Sequence, residues 1–168
     1  MADKPKIGLV IYLAGPDVFR PDAKEHGETI KDICCKKGLI GLYPMDNEVE
    51  KIGTPQEIAK SIFEANVKMI EECDAVVANI TPFRGPSGDV GTVWEMGYAR
   101  GLGKPVFAYS QMYGMRYPQR VYHLKIPHDG MMIEDFELDD NLMVIFGVEH
   151  MSIGVEAAII AAKKHLEL

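Results

Sequence analysis

Short apolar runs of strand length alternate with helix-like segments along almost the whole chain. We predict five strands, at 7–13, 39–43, 74–80, 106–109 and 142–146. We predict the main helices at 21–37, 54–72, 89–102 and 152–165. Because strand and helix alternate, the strands are expected to run parallel. This feature therefore predicts a doubly wound α/β fold, in which a five-stranded parallel sheet carries helices on both faces.

Length and composition indicate one globular domain that spans residues 1–168. The chain has 168 residues, of which 47% are hydrophobic and 26% are charged, which is ordinary usage for a protein that buries a core of its own. Its 18 basic and 25 acidic residues give a net charge of −7. An acidic chain lacks the basic face that nucleic acids and anionic membranes require, so we expect neither as a partner.

The sequence also predicts a cytoplasmic protein. No run approaches the ~20 apolar residues of a membrane helix, and the segment ahead of the first run lacks the form of a secretory signal. The three cysteines are Cys34, Cys35 and Cys73. An odd number, with two of them adjacent, fits neither a disulfide framework nor a zinc site.

Loop residues follow three of the predicted strands at 14–16, 44–47 and 81–88. In doubly wound folds, ligands bind in a crevice beyond the carboxyl ends of the strands. These three loops are therefore expected to line one crevice. No phosphate-binding glycine loop of a standard type follows the first strand. The five histidines show no paired spacing, so we predict no metal site.

Three acidic residues lie near the third strand and the helix after it. Asp74 begins the strand, where a solvated end residue is the ordinary interpretation, and Asp89 precedes the helix, where an N-cap is the ordinary one. Glu95 lies in the middle of the helix between Trp94 and Met96. A glutamate in so apolar a run either lies on the exposed stripe of the helix or is held there for a purpose.

Two glycines interrupt the same helix. Gly91 is four residues before Glu95 and so lies on the same helix face, and Gly97 is also inside the helix. Glycine in a helix costs about 1 kcal/mol relative to alanine. Either the close approach of a backbone or ligand, or tight packing of the helix on the sheet, would account for both glycines.

Six segments in order along the chain resemble the nucleoside 2-deoxyribosyltransferases. They are Tyr12-Leu13-Ala14-Gly15-Pro16 with Phe19, 44–48 (PMDNE), 73–80 (CDAVVANI) with 82–85 (PFRG), 89–92 (DVGT), 95–99 (EMGYA) and 140–143 (DNLM). The resemblance implies a doubly wound, flavodoxin-like α/β fold without a cofactor. It also implies that the chain moves 2-deoxyribose from one nucleobase to another, so its partners are deoxynucleosides and free nucleobases.

The resemblance assigns expected roles residue by residue. Glu95 matches the nucleophile of the family. The catalytic helpers of the family match Tyr12, Asp74 and Asp89. The substrate-binding positions are expected at Gly15, Phe19, Glu48, Gly91, Asn141 and Met143. Some relatives carry glutamine where this chain has Glu48, so the preference between purines and pyrimidines stays open.

In the family, the Asn-Leu-Met segment reaches into the active site of a neighbouring subunit, and Asn141 and Met143 match it. The resemblance therefore implies a homo-oligomer with shared sites, either a dimer or a trimer of dimers. Two other functions stay open at this point. One is hydrolysis of 2′-deoxynucleoside 5′-monophosphates on a similar fold, and the other is nucleoside binding without catalysis.

Overall fold

The computed structural model describes residues 8–47, 52–127 and 129–167. Its five strands are β1 Leu9–Ala14, β2 Leu39–Leu42, β3 Ala75–Asn79, β4 Val106–Tyr109 and β5 His150–Ser152. Its six α-helices are α1 Ala23–Lys36, α2 Pro55–Glu72, α3 Val90–Gly101, α4 Tyr117–His123, α5 Leu142–Ile145 and α6 Val155–Leu166. Short 3₁₀ turns lie at Pro16–Phe19 and Pro44–Asp46.

The five strands form one parallel sheet in the order β2-β1-β3-β4-β5. The predicted doubly wound, flavodoxin-like fold is confirmed by this strand order. The chain leaves β1 toward β2 on one side and then returns to place β3 on the other. Such a reversal opens a crevice at the carboxyl ends of the two central strands.

Helices cover both faces of the sheet, as predicted, because every central strand is apolar on both sides. On one face, Ile30 of α1 and Ile159 of α6 pack against inward residues such as Ile11 and Phe107. On the other face, α2 and α3 pack against the alternate residues of the same strands. This second core contains the buried side chain of Tyr12.

The start of α2 follows its sequence signature. The Thr54 hydroxyl accepts a hydrogen bond from the Glu57 N–H at 3.3 Å, and the Glu57 carboxylate accepts one from the Thr54 N–H at 2.7 Å. This reciprocal capping box, with Pro55 in the first turn, satisfies backbone donors that the helix itself cannot pair. Among the described residues, no helix is both long and apolar enough to cross a membrane.

The predicted fifth strand is wrong. Residues 142–146 form the short helix α5 and the turn after it, and the edge strand β5 is His150–Ser152. Asn141 explains the difference, because its side chain accepts a hydrogen bond from the Met143 N–H at 3.0 Å and so caps a helix. The last helix begins at Val155 rather than at Ser152, since Ser152 belongs to β5.

Candidate active site

A cleft of about 630 Å³ opens where the order of the strands reverses. Loops after β1 and β2 form one wall, and α2 with the first turns of α3 forms the other. The lining residues are Gly15, Val18, Phe19, Lys24, Pro44, Met45, Asn47, Ile58, Ile62, Asn66, Asp89, Gly91, Thr92 and Glu95. The structure thus brings five of the sequence-predicted site residues into one cavity, namely Gly15, Phe19, Asp89, Gly91 and Glu95.

Glu95, which lines this cleft, is hydrogen-bonded to Tyr12. The Tyr12 hydroxyl donates a hydrogen bond of 2.6 Å to Oε1 of Glu95. Tyr12 is fully buried on β1, and Glu95 projects from the second turn of α3. Because a strand and a helix hold the two partners, the carboxylate has a fixed orientation. Its second oxygen, Oε2, has no hydrogen-bond partner among the described residues.

Burial sets the electrostatics of this pair. The pKa of Glu95 rises from 4.5 to about 7, mainly because burial disfavours the carboxylate, and the nearby charge of Asp89 raises it further. The hydrogen bond from Tyr12 acts in the opposite direction and lowers the pKa of Glu95. Burial and the Glu95 charge move the pKa of Tyr12 far above its ordinary value, so Tyr12 remains a hydrogen-bond donor. A carboxyl group whose pKa is close to neutral pH suits a nucleophile that must both attack and leave.

Asp89 both caps α3 and lines the cleft. Its Oδ2 accepts hydrogen bonds from the N–H and the hydroxyl of Thr92, at 3.0 and 3.2 Å. Its Oδ1 has no hydrogen-bond partner among the described residues. A Cβ at Gly91 would lie 3.1 Å from Asp89 Oδ2, so glycine avoids a tight contact with the cap. Gly97 differs, since a Cβ there would meet nothing within 4 Å, and tight packing on the sheet does not explain it.

The turn after β1 presents an aromatic ring at the mouth of the cleft. Gly15 begins this turn, and a Cβ there would lie 2.8 Å from the Cβ of Asn79, so no larger residue fits. Asn79 donates a hydrogen bond of 2.8 Å to Asp17 and fixes the turn to the end of β3. Phe19 is 58% exposed and stacks on Phe83 with ring centroids 5.4 Å apart. This ring is therefore available to cover a planar ligand.

Two amides that line the cleft are not predicted as site residues by the sequence. Asn47 follows β2, and its Nδ2 donates hydrogen bonds to the Pro44 carbonyl and to Oδ1 of Asn66, both at 3.3 Å. Asn66 lies on α2 one turn after Ile62, which also lines the cleft. The helical spacing from Ile62 is the available signal, but an asparagine at that spacing is equally typical of a solvated helix face.

The structure does not bring Asp74 to this cleft. Asp74 lies just before β3, at the amino end of the sheet, whereas the cleft is at the carboxyl ends. Its carboxylate accepts a hydrogen bond from the Val10 N–H at 2.8 Å, and its own N–H donates to the Val10 carbonyl at 2.7 Å. These bonds join β3 to β1. Glu48, the remaining residue predicted near the base, lies outside the described residues.

Asn141 and Met143 lie at α5, and neither lines the cleft of its own chain. Met143 is 75% exposed, and the next turn carries Phe146, which is similarly exposed. Asn141 contacts an acidic side chain of its own chain, since its Nδ2 donates a hydrogen bond of 3.0 Å to Glu134. The described residues contain no group of three or more His, Cys, Asp or Glu that could hold a metal ion.

Comparison with known proteins gives one consistent family. The family model for nucleoside 2-deoxyribosyltransferases matches residues 11–143, well over half of the chain. A solved 2-deoxyribosyltransferase from Leishmania mexicana is 32% identical, with a TM-score of 0.72 over 94% of this chain and 98% of that chain. A 2-deoxyribosyltransferase from Bacillus psychrosaccharolyticus, 21% identical, shares the fold with a TM-score of 0.61 over 88% of each chain.

A curated relative extends the comparison to another eukaryote. An uncharacterized protein of Schizosaccharomyces pombe is 37% identical over 114 residues, which is 66% of this chain and 54% of that protein. The chain therefore spans about half the length of this curated relative.

Proposed function

The chain belongs to the nucleoside 2-deoxyribosyltransferase family, and from that premise we propose that it transfers 2-deoxyribose between nucleobases. The observation that carries the proposal is the 2.6 Å hydrogen bond from Tyr12 to Glu95 in the cleft. It holds one carboxylate oxygen, and the other, which has no hydrogen-bond partner among the described residues, is the atom that we propose meets the sugar. The substrates are a deoxynucleoside donor and a free nucleobase acceptor, and the chain's residues supply the chemistry.

In the proposed first step, Oε2 of Glu95 attacks C1′ of the deoxynucleoside. The new C1′–O bond forms as the bond from C1′ to the base nitrogen breaks, and the electron pair of that bond stays on the nitrogen. The product is an ester between Glu95 and deoxyribose. In the second step, a nitrogen of the incoming base attacks C1′ from the other side and releases the Glu95 carboxylate. Two inversions give net retention, as in retaining glycosidases.

In this proposal, Asp89 donates a proton to the departing base and accepts one from the incoming base. The departing nitrogen needs a proton as its bond to C1′ breaks, and the acceptor nitrogen gives one up in the second step. Asp89 lines the same cleft as Glu95, and its Oδ1 is not used by the helix cap, which involves Oδ2. One carboxyl oxygen therefore holds α3 in place while the other serves the base. Asp74 has no step in this mechanism, because it lies at the amino ends of the strands, whereas the cleft lies at their carboxyl ends.

The position of Glu95 favours 2′-deoxyribosides over ribosides. A 2′-hydroxyl group would crowd the attacking carboxylate and would oppose the positive charge that develops at C1′. We expect deoxyadenosine to be used far faster than adenosine under matched conditions. Equal rates on the two nucleosides would contradict this placement of the sugar.

Hydrolysis of deoxynucleoside 5′-monophosphates is the closest rival function. Such an enzyme needs cationic groups for the phosphate, and among the described lining residues Lys24 is the one cation. The deciding experiment measures consumption of a deoxynucleoside with and without an acceptor base. Transfer predicts fast formation of the new nucleoside and slow release of free deoxyribose. Fast release of deoxyribose that is indifferent to the acceptor would favour hydrolysis.

We also propose that active sites are completed by a second subunit of the same chain. The support is the exposure of Met143 and Phe146 around α5, and a second exposed apolar surface, with Phe63 and Trp94, beside Glu95. Two such surfaces on one chain suit a symmetric assembly in which each covers the other. Asn141 and Met143 would then contact the sugar in the partner's cleft.

Mixing two inactive variants tests this assembly. Glu95→Ala and Asn141→Ala subunits are allowed to exchange, so that a mixed dimer has one site with both lesions and one with neither. Recovery of activity is the expected result. If Asn141 served its own subunit, every site would keep one lesion, and activity would stay absent although subunit exchange had been verified.

A further inference from the structure

A buried ion pair lies directly before Asn141. Asp140 and Arg120 are 1% and 3% exposed, and Nη1 of Arg120 lies 3.4 Å from Oδ2 of Asp140. Arg120 belongs to α4, so this pair joins α4 to the start of α5. Nε of Arg120 is buried and has no hydrogen-bond partner among the described residues. An arginine placed in this way is fixed mainly by the carboxylate it faces, and the carboxylate by the arginine.

Asp140 also holds the backbone of Asn141 through a hydrogen bond. Its Oδ1 accepts the Asn141 N–H at 2.8 Å and also accepts the hydroxyl hydrogen of Ser87. Ser87 lies in the loop after β3, two residues before Asp89 of the cleft. The peptide nitrogen of Asn141 is thus tied to two different parts of the fold through one carboxylate.

Glu134 fixes the side chain of Asn141. One oxygen of Glu134 accepts the Leu142 N–H and the other accepts an N–H of Asn141 Nδ2, both at 3.0 Å. Oδ1 of Asn141 accepts the Met143 N–H at 3.0 Å. A flipped amide would direct Oδ1 at a carboxylate and an NH₂ group at a backbone N–H, so both contacts oppose the flip. One amide hydrogen of Asn141 remains unused among the described residues.

We propose that Glu134 and Asp140 are positioning residues that aim the Asn141 amide at the substrate sugar. The inference rests on the proposed function, in which Asn141 binds the deoxyribose. Neither acidic residue lines the cleft of its own chain, and neither takes part in the transfer chemistry. Their effect is to fix which end of the Asn141 amide donates and where it lies. The sugar hydroxyl then meets a donor whose orientation is already set before binding.

Glu134→Gln is the variant that tests this idea, because it keeps the shape of the side chain. Leu142 and Asn141 donate to different oxygens of Glu134, and a glutamine replaces one of these oxygens with an NH₂ group. One of the two donors then faces another donor, so the amide of Asn141 loses its fixed polarity. Asn141 contributes binding to ground state and transition state alike, so we expect KM for the deoxynucleoside to rise about tenfold with kcat nearly unchanged. The thermal unfolding temperature should stay close to that of the wild type.

Glu137→Gln is the matched control. Glu137 lies in the same segment, is exposed, and pairs with Arg116 rather than with Asn141. Its variant should leave KM at the wild-type value. An unchanged KM in Glu134→Gln, or the same change in both variants, would overturn the proposal. Absence of base exchange in the wild-type protein would instead reject the proposed function, so the two failures are distinguishable.

A second arm uses the polarity of the amide itself. Asn141→Asp places a carboxylate against Glu134, so the unfolding temperature should fall. Adding Glu134→Gln lets the new amide donate to the carboxylate introduced at position 141 while it still accepts from Leu142. The double variant should therefore recover the unfolding temperature. Its KM should stay high, because the donor to the sugar is gone. Failure of the double variant to recover stability would overturn the assigned hydrogen-bond pattern.

Discussion

The cleft and the segment between β4 and β5 hold their polar side chains in different ways. In the cleft, Glu95 is fixed by one hydrogen bond from a buried tyrosine, and both partners lie on regular elements of the fold. In the described part of residues 111–149, where α4 and α5 are the regular elements, Asn141 is fixed by charged side chains. Burial in the cleft raises the pKa of Glu95 to about 7. In the second region, an arginine compensates the buried charge of Asp140.

The two carboxylates have opposite effects on the stability of the fold. A carboxylate that is buried without a cation opposes stability, and such strain is typical of a reacting group. A carboxylate buried against an arginine has its charge compensated. Removing either partner leaves the other charge buried and unpaired, which lowers the free energy of unfolding. We therefore expect changes at Glu95 to destroy activity while sparing the fold. Changes at Asp140 should damage the fold.

Glu95→Gln should have the largest effect on activity. The amide keeps the shape and the hydrogen bond from Tyr12 but cannot form the ester, so base exchange should fall by about three orders of magnitude or more. The circular dichroism spectrum should match that of the wild type. Glu71→Gln, at an exposed glutamate of α2, is the control and should keep full activity. Near-normal exchange by folded Glu95→Gln would reject the nucleophile.

Asp140→Ala should have the largest effect on stability. It leaves the Arg120 guanidinium buried without its counter-charge, which costs about 3–5 kcal/mol in the free energy of unfolding. Arg116→Ala is the control, because Arg116 pairs with Glu137 at the surface, where an ion pair contributes about 1 kcal/mol or less. Urea denaturation measures both. Equal losses in the two variants would remove the contrast between a buried and an exposed pair.

Tyr12→Phe should reduce kcat/KM by about 10- to 100-fold, because it removes a hydrogen bond to a charged acceptor. That hydrogen bond lowers the pKa of Glu95. Its loss should therefore raise this pKa and move the acidic limb of the pH–rate profile, expected near pH 7, to higher pH. Tyr98→Phe, which removes a hydrogen bond to the exposed Glu71, should change neither value. An acidic limb that stays in place would show that Tyr12 does not act on Glu95.

The smallest expected effect is a gain in stability that depends on pH. The pKa of Glu95 is about 7 in the folded chain against an ordinary 4.5. The stability linked to its proton is therefore present below about pH 4.5 and is lost as the pH rises through 7. The stability advantage of Glu95→Gln over the wild type should be larger at pH 8 than at pH 5 by about 2 kcal/mol. A difference that is independent of pH would mean that Glu95 is not held in a desolvated site.

The same contrast explains what the sequence could predict. The strands of the sheet core follow from apolar runs. The apolar helix around Glu95 leaves open whether this carboxylate is exposed or held in a site, and only the resemblance assigns it a role. The run at 142–146 is too short to reveal a period, so a helix capped by Asn141 has the pattern of a strand. The true edge strand has three residues, of which only Ser152 is buried. Asp74 is assigned a catalytic role by resemblance alone, although its place at the start of the third strand already puts it at the amino end of the sheet, away from the crevice.

The contacts that hold Asn141 could not be predicted, because their partners are far apart in the chain. Ser87 and Arg120 lie 53 and 20 residues from Asp140. No periodic pattern links such positions, and the segment between β4 and β5 has little regular structure that would set a register. Asn66 could not be predicted for another reason, because an asparagine at its spacing along α2 is equally typical of a solvated helix face.

The most direct test of the account is to trap the ester on Glu95. A 2′-deoxy-2′-fluoro nucleoside suits this purpose, because fluorine next to C1′ opposes positive charge there and slows breakdown of the ester. Mass spectrometry of the tryptic peptide 85–100, which contains both Glu95 and Asp89, identifies the modified residue. We expect one fluorodeoxyribosyl group on Glu95, its removal by an acceptor base, and no adduct in Glu95→Gln. A group attached to Asp89 or elsewhere, or active exchange with no adduct at any time, would contradict it.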